Sequence, residues 1–161
     1  MDTFGYNACV QEWADALFRF ACKCTGNREE AQDIVQNCFA ILWEKRNQVT
    51  IEKAKAFLFQ LAYRKSVDHF RRIQKVRTGE AFPDQVVADT MPSTDLKRIL
   101  NQALDLLDEK DRALVLLRDY EGYNYEEIAQ ITGLSASQVK VYLFRARKVL
   151  KEYLVSVKSV L

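Results

Sequence analysis

Apolar residues recur at helical intervals along most of the chain, whereas the two-residue alternation typical of strands is weak. The clearest case is a stripe in which apolar residues follow the i, i+3, i+4, i+7, i+8, i+11 spacing of a half-buried helix. Its members are Ala31, Ile34, Val35, Cys38, Phe39 and Leu42. Similar stripes predict helices over about residues 9–24, 28–46, 53–75, 95–107 and 111–120, with a further pair after residue 123. The fold predicted from this pattern is all-α.

Residues 76–95 interrupt the helical pattern. This segment contains Gly79, Pro83 and Pro92 and has no lysine or arginine after Arg77, a composition typical of a flexible linker. We therefore predict two small helical domains joined by this linker. The predicted boundaries are residues 1–76 for the first domain, 77–94 for the linker and 95–161 for a C-terminal four-helix domain.

The last part of the second domain, residues 123–150, has the pattern of a helix-turn-helix. Two short amphipathic stretches flank Gly133, which can supply the positive φ of a tight turn. Ser135 and Gln138 have the spacing of a capping box, which starts the second helix. The outer side of that helix is polar and basic, as suits the major groove. An ordinary αα-hairpin with a solvated basic face remains the alternative.

The charge is unevenly distributed, although the net charge is only +2. Residues 53–77 contain 8 basic and 1 acidic side chains, and residues 128–161 contain 6 and 1. Two separated basic segments in an otherwise acidic chain indicate contact with a polyanion at two places. Basic helix faces that serve only solubility are the alternative.

The first basic segment combines cations with aromatic rings. Arg64, Lys65, Asp68, Arg71 and Arg72 fall on one side of the third predicted helix. Rings beside cations are typical of surfaces that bind unpaired nucleic acid, since bases stack on rings while cations contact phosphates. Phe57, Phe59 and Tyr63 could equally be core residues, and we expect this of at least two of them.

A polar ridge lies off the apolar stripe of the second helix. Its amide and carboxylate side chains, Asp33, Gln36 and Asn37, either face solvent or dock a partner protein. Periodicity alone does not decide between these two interpretations.

Other chemistry is sparse. The four cysteines (Cys9, Cys22, Cys24 and Cys38) lack zinc-knuckle spacing. The chain has no signal-peptide pattern and no apolar run near the ~18 residues of a membrane span. We expect a cytoplasmic protein with free thiols, Cys38 in the core, no cofactor and no membrane insertion. No Gly-rich phosphate loop or nucleophile motif argues for an enzyme, and His69 is more plausibly solvated or near DNA than a catalytic base.

Several short motifs, taken in order, match one known family. They are Ala31-Gln32-Asp33-Ile34-Val35-Gln36 with Phe39 and Trp43, Asp68-x-x-Arg71-Arg72, Leu107-Asp108 leading to Arg112, Tyr125-Glu126-Glu127-Ile128-Ala129, and Val139-Lys140 followed by Arg145-Ala146-Arg147. With these motifs the chain resembles the extracytoplasmic-function group of bacterial RNA polymerase sigma factors over about residues 14–154. The family usually has tryptophan where this chain has Phe57 and asparagine where it has Arg64.

The resemblance implies a role for each surface. Asp33, Gln36 and Asn37 would bind core RNA polymerase. The third helix and residues 47–53 would recognise and melt the promoter −10 element through Phe57, Arg64, Lys65, Asp68, Arg71 and Arg72. The helix-turn-helix domain would bind the −35 element through Arg112, Tyr125, Ser135, Ser137, Gln138, Lys140, Val141, Phe144, Arg145 and Lys148, with Arg112, Arg145 and Lys148 mainly on phosphates.

The partners implied are core RNA polymerase, promoter DNA and an anti-sigma factor, and the chain would not itself be an enzyme. A stand-alone helix-turn-helix regulator that binds operators without polymerase is the alternative function.

Overall fold

Helices make up the described structure. A computed structural model of the chain describes the backbone of residues 1–79 and 95–160, and the side chains of residues 1–73 and 95–158. The helices are α1 (Thr3–Thr25), α2 (Arg28–Glu44), α3 (Ile51–Gly79), α4 (Asp95–Asp105), α5 (Glu109–Val115), α6 (Tyr125–Thr132) and α7 (Ala136–Val160), and a π-helical turn (Leu116–Tyr120) continues α5. Within the described ranges no strand is present, so the all-α prediction is confirmed.

Side chains at the helix ends explain where several helices begin. The side chains of Asp2, Asn27, Asp108 and Asn124 each accept a hydrogen bond from a backbone N–H three residues later. These bonds satisfy donors that the first helical turn leaves unpaired. Asp2 also explains why α1 begins at Thr3, six residues before the predicted start, although its first turn lacks a regular apolar stripe.

The first three helices form an N-terminal unit. Helix α1 packs against both α2 and α3, around the buried side chains of Leu17, Phe20, Ile34, Leu42 and Leu58. Cys38 is fully buried in this core, as predicted. Burial raises the pKa of the Cys38 thiol to about 12, so it is protonated at neutral pH.

The remaining helices form a C-terminal unit around α7. Its buried side includes Val139, Leu143 and Ala146, which pack with Leu114 and Ile128. Gly133 ends α6 at φ 80°. Ser135 Oγ accepts a hydrogen bond from the Gln138 N–H at 3.1 Å, and Gln138 Oε1 accepts one from the Ser135 N–H at 3.0 Å. The predicted turn and capping box are both confirmed.

The two units contact each other, an arrangement that the sequence left open. The rings of Phe59 and Tyr123 meet edge to face with their centroids 5.1 Å apart, and both side chains are buried. Arg19 of α1 donates two hydrogen bonds of 2.9 Å to the Glu121 carboxylate. Phe59 is thus a core residue, whereas Phe57 and Tyr63 are partly buried.

Other boundaries differ modestly from the prediction. Helix α3 continues to Gly79, four residues beyond its predicted end, so residues 77–79 of the predicted linker are helical. The rest of that linker lies outside the described residues. In the described part of the chain, no helix combines the length and the apolar character needed to cross a membrane.

Replacing Gly133 by valine should destabilise the C-terminal unit. An added Cβ would meet no atom within 4 Å, so the penalty comes from placing a β-branched residue at φ 80°, which costs at least about 1–2 kcal/mol. Gly133→Asn is the matched control, because asparagine tolerates this backbone region. Denaturant unfolding followed by circular dichroism should rank wild type above G133N and G133N above G133V. Equal stability of G133V and wild type would show that the turn is misplaced.

Candidate nucleic-acid and polymerase interfaces

Helix α7 presents the predicted DNA-binding residues to solvent. We define its outer face as the side opposite the buried stripe, comprising Ser137, Lys140, Val141, Phe144, Arg145 and Lys148, and every member is exposed. Ser135 and Gln138, at the exposed start of the helix, are engaged in the capping box. Arg147 lies beside this face and donates a 2.7 Å hydrogen bond to Asp119. The pair with Asp119 joins α7 to the π-helical turn.

The Tyr125 ring, next to this face, contacts two cations. The Arg118 guanidinium is 4.9 Å from its ring centroid and the Lys140 ammonium is 5.4 Å away, distances at which a ring face attracts a cation. Arg118 also donates a 2.9 Å hydrogen bond to the Tyr123 carbonyl. Arg118 could not be identified from the sequence, because it and Tyr125 belong to different elements and so share no helical spacing. The Tyr125 ring thus contacts Lys140 of the outer face and Arg118 of the π-helical turn.

A groove separates α2 from α3 and gathers most of the predicted −10 residues. Its volume is about 720 Å³, and its lining is Glu30, Ile34, Asn37, Lys65, Asp68, Arg71 and Arg72. Arg64 is exposed outside this lining, and Phe57 packs partly against the core. Three cations and two carboxylates give the groove a mixed surface on which positive charge predominates.

The polar ridge of α2 is exposed along its length. Asp33, Gln36 and Asn37 all face solvent, while Ile34 and Cys38 on the opposite side are buried. Asn37 also lines the groove. The ridge and the groove therefore form adjoining parts of one surface.

The structure places Arg112 differently from the expectation. Its side chain was expected to be exposed for phosphate contact, but it is only 5% exposed. The guanidinium donates hydrogen bonds to the carbonyls of Leu104 at 3.0 Å, Leu107 at 3.3 Å and Cys24 at 3.2 Å. It also lies over the Phe70 ring. The reason is that the carbonyls ending α4 need donors, and this guanidinium supplies them while linking α4 to α1.

His69 is also less exposed than expected. Its Nδ1 lies 3.3 Å from a Glu30 carboxylate oxygen, and its side chain is largely buried. Burial lowers the pKa of His69 and Arg72 adds to this effect, whereas Glu30 opposes it. The pair joins α2 to α3 beside the groove. Over the described residues, no group of three or more His, Cys, Asp or Glu side chains has a metal-binding arrangement.

Comparison with known proteins identifies relatives over nearly the whole chain. The family model for sigma-70 region 2 matches residues 9–76, and that for sigma-70 region 4 matches residues 97–150. The RNA polymerase sigma-E factor of Streptomyces coelicolor is 30% identical over 150 residues, 91% of this chain and 84% of the relative. RNA polymerase sigma factor SigV of Bacillus subtilis is 29% identical over 89% of this chain and 87% of its own length.

The ECF RNA polymerase sigma factor SigE of Mycolicibacterium smegmatis is 29% identical over 92% of this chain, but the match spans only 61% of that protein. Among solved structures, the sigma factor RpoE of Bartonella quintana, in complex with the anti-sigma factor NepR, has a TM-score of 0.74 at 25% identity, covering 92% of this chain and 96% of its own. CnrH, in complex with the cytosolic domain of CnrY, shares the fold with a TM-score of 0.70 at 22% identity, covering 94% of this chain and 88% of its own.

Arg112→Ala should unfold the protein more easily even without DNA. The substitution leaves buried carbonyls without donors, at an expected cost of about 2–4 kcal/mol. Arg98→Ala is the control, because Arg98 is exposed and pairs with Asp95 of its own helix. The comparison is made by denaturant unfolding. If R112A were as stable as R98A but bound promoter DNA less well, the phosphate-binding role would be favoured over the structural one.

Proposed function

This chain belongs to the extracytoplasmic-function group of RNA polymerase sigma factors, and we propose which of its surfaces perform each part of promoter-specific initiation. The chain binds core RNA polymerase and directs it to specific promoters. The observation that carries the assignment is the outer face of α7, where cations and polar side chains are held outward by a fully buried stripe on the opposite side. A helix fixed in this way is suited to the major groove.

The α2 ridge is the proposed polymerase-binding surface. Asp33, Gln36 and Asn37 are exposed on a helix whose other side is anchored in the core. A rigid row of acceptors and amides can form charge-assisted hydrogen bonds with a basic partner helix without reorganising. This arrangement supports the role that the family resemblance implies for these residues.

The groove between α2 and α3 is the proposed site for the −10 element. Lys65, Arg71 and Arg72 offer positive charge to phosphates, and their neighbour Asn37 can hydrogen-bond to a base. The adjacency of ridge and groove would bring the unwound promoter close to the polymerase surface. Arg64 and Phe57 lie on the same helix but outside the lining, so we assign them a flanking role.

The C-terminal unit is the proposed reader of the −35 element. Ser137, Gln138 and Lys140 begin α7, where recognition helices contact base edges. Arg145 and Lys148 are placed to bind phosphates. Arg112 has a structural role in this proposal, since its donors are occupied by backbone carbonyls.

An anti-sigma factor is the proposed regulatory partner, and the cytoplasm is the proposed location. RpoE, which this chain matches over both units, was solved bound to an anti-sigma factor. We assign the chain no catalytic activity of its own; chemistry would be performed by the polymerase.

A pull-down of core RNA polymerase tests the ridge. Asp33→Lys combined with Gln36→Lys should abolish or strongly reduce retention of the polymerase, because two cations replace an acceptor and an amide. Glu12→Lys combined with Asp15→Lys is the matched control, since Glu12 and Asp15 are exposed on α1 away from the ridge. Equal retention by both double variants would remove the ridge from the interface. If the wild-type chain bound operator DNA tightly and never bound polymerase, the stand-alone regulator would be favoured.

Lys140→Ala should weaken −35-dependent transcription by roughly tenfold, the loss expected for one good contact. A loss that depends on the −35 sequence indicates contact with a base, and a uniform loss indicates contact with a phosphate. Run-off transcription with reconstituted holoenzyme on a panel of −35 variants distinguishes these outcomes. Lys158→Ala, at the far end of the same helix, serves as the control. Undiminished transcription by K140A on every promoter would contradict the assignment.

A further inference from the structure

The outer face of α7 carries two apolar side chains near its centre, within the first three turns of the helix. Phe144 is 74% exposed and Val141 is 48% exposed, and they lie three residues apart among the polar and basic side chains of this face. Neither contributes to the core of the C-terminal unit. Two large apolar side chains at the middle of a proposed DNA-reading surface therefore need a specific contact to explain them.

Successive residues of an α-helix are rotated by 100° about the helix axis, so the angular position of each side chain on the outer face can be calculated. Taking Ser137 as the centre of the face, Val141 lies about 40° to one side and Phe144 about 20° to the other. Lys140 lies about 60° away on the side of Phe144, and Arg145 about 80° away on the side of Val141. Lys140 and Arg145 thus flank the apolar pair on its two sides. Lys148, about 20° from the centre, lies one turn beyond Phe144 toward the C-terminal end of the helix.

At the level of residues 140–145 this order matches the cross-section of a major groove. The groove floor presents base edges, and its two walls are phosphate backbones. A helix lying in the groove with cations at both edges of its outer face directs the centre of that face at the floor. One group on the floor is apolar, namely the C5-methyl of thymine.

We propose that Val141 and Phe144 bind thymine methyl groups in the −35 element and so determine part of its sequence. The inference rests on the proposed role of α7 in reading that element, and it adds the chemistry that is read. Burying one methyl against this pair strengthens binding by about fourfold. Two neighbouring thymines, on either strand, would give the full effect.

Selection from a promoter library tests the sequence preference. Holoenzyme reconstituted from core RNA polymerase and the full chain is used to recover active promoters randomised over the −35 element. Wild type should enrich thymine on one strand or the other at one or two neighbouring positions. V141S/F144S, whose side chains cannot make this apolar contact, should lose that enrichment while retaining preference at other positions.

Methyl removal then tests the contact itself. Uracil in place of thymine deletes only the methyl group, and 5-methylcytosine in place of cytosine presents a methyl at the same edge of the groove. Uracil should weaken the binding of wild-type holoenzyme to the promoter about fourfold per methyl removed. It should leave the affinity of the V141S/F144S holoenzyme unchanged. Where cytosine replaces thymine, its 5-methylation should recover part of the lost affinity for wild type alone.

Val149→Ala is the matched control variant. Val149 is 39% exposed on the same helix, but it lies about 120° from the centre of the outer face. V149A should respond to uracil like the wild type. Unchanged thermal melting of V141S/F144S would show that its altered preference does not arise from unfolding.

The outcomes separate this inference from the function on which it rests. If transcription depends on the −35 element but uracil and thymine are equivalent for the wild type, the apolar pair does not bind methyl groups and this inference is wrong. If the chain confers no dependence on any −35 sequence, the proposed role of α7 is itself wrong. If Val141 and Phe144 instead contact a protein partner, uracil and thymine would likewise be equivalent for the wild type.

Discussion

Burial of one side of α7 is the constraint that determines which side chains form the proposed DNA-reading surface. Val139, Leu143 and Ala146 are almost completely inaccessible, so rotating the helix about its axis would expose apolar area and bury cations, both of which are unfavourable. The outer face is therefore determined by packing on the inner face. Two polar contacts act on the same helix. The Arg147–Asp119 pair holds one side of α7 against the π-helical turn, and the Ser135–Gln138 capping box determines where α7 begins.

The buried contact between the two helical units has an apolar part and a charged part. Phe59 and Tyr123 provide its apolar part, and burial raises the pKa of the Tyr123 hydroxyl. Arg112 provides the polar part, with its charge placed among backbone carbonyls rather than beside a close carboxylate; the nearest such oxygen, on Asp105, is 3.9 Å away. A guanidinium can be buried in this way because its fixed donors match several acceptors at once. Arg112, in the unit proposed to bind DNA, thus donates its hydrogen bonds to carbonyls of the protein itself.

Helix α3 contributes side chains both to the contact between the two units and to the groove beside α2. Its early turns place Phe59 against Tyr123, and its later turns supply Lys65, Asp68, Arg71 and Arg72 to the groove beside α2. Arg71 also approaches Glu109 of the C-terminal unit at 3.6 Å. A change in how the two units pack would therefore alter the surroundings of the proposed −10 surface directly.

Three features follow from the sequence alone: the helical class, the helix-turn-helix with its turn glycine and capping box, and the exposed side of α7. These features depend on local periodicity and on backbone groups within a few residues, which the sequence records. The three-dimensional fold was needed to show that Arg112 is buried, that Phe59 contacts Tyr123 and that Arg118 lies over the Tyr125 ring. Each of these depends on residues from different elements coming together, and no spacing along the chain encodes that proximity. A charged residue in a basic segment looks the same in sequence whether it faces a phosphate or a row of carbonyl oxygens.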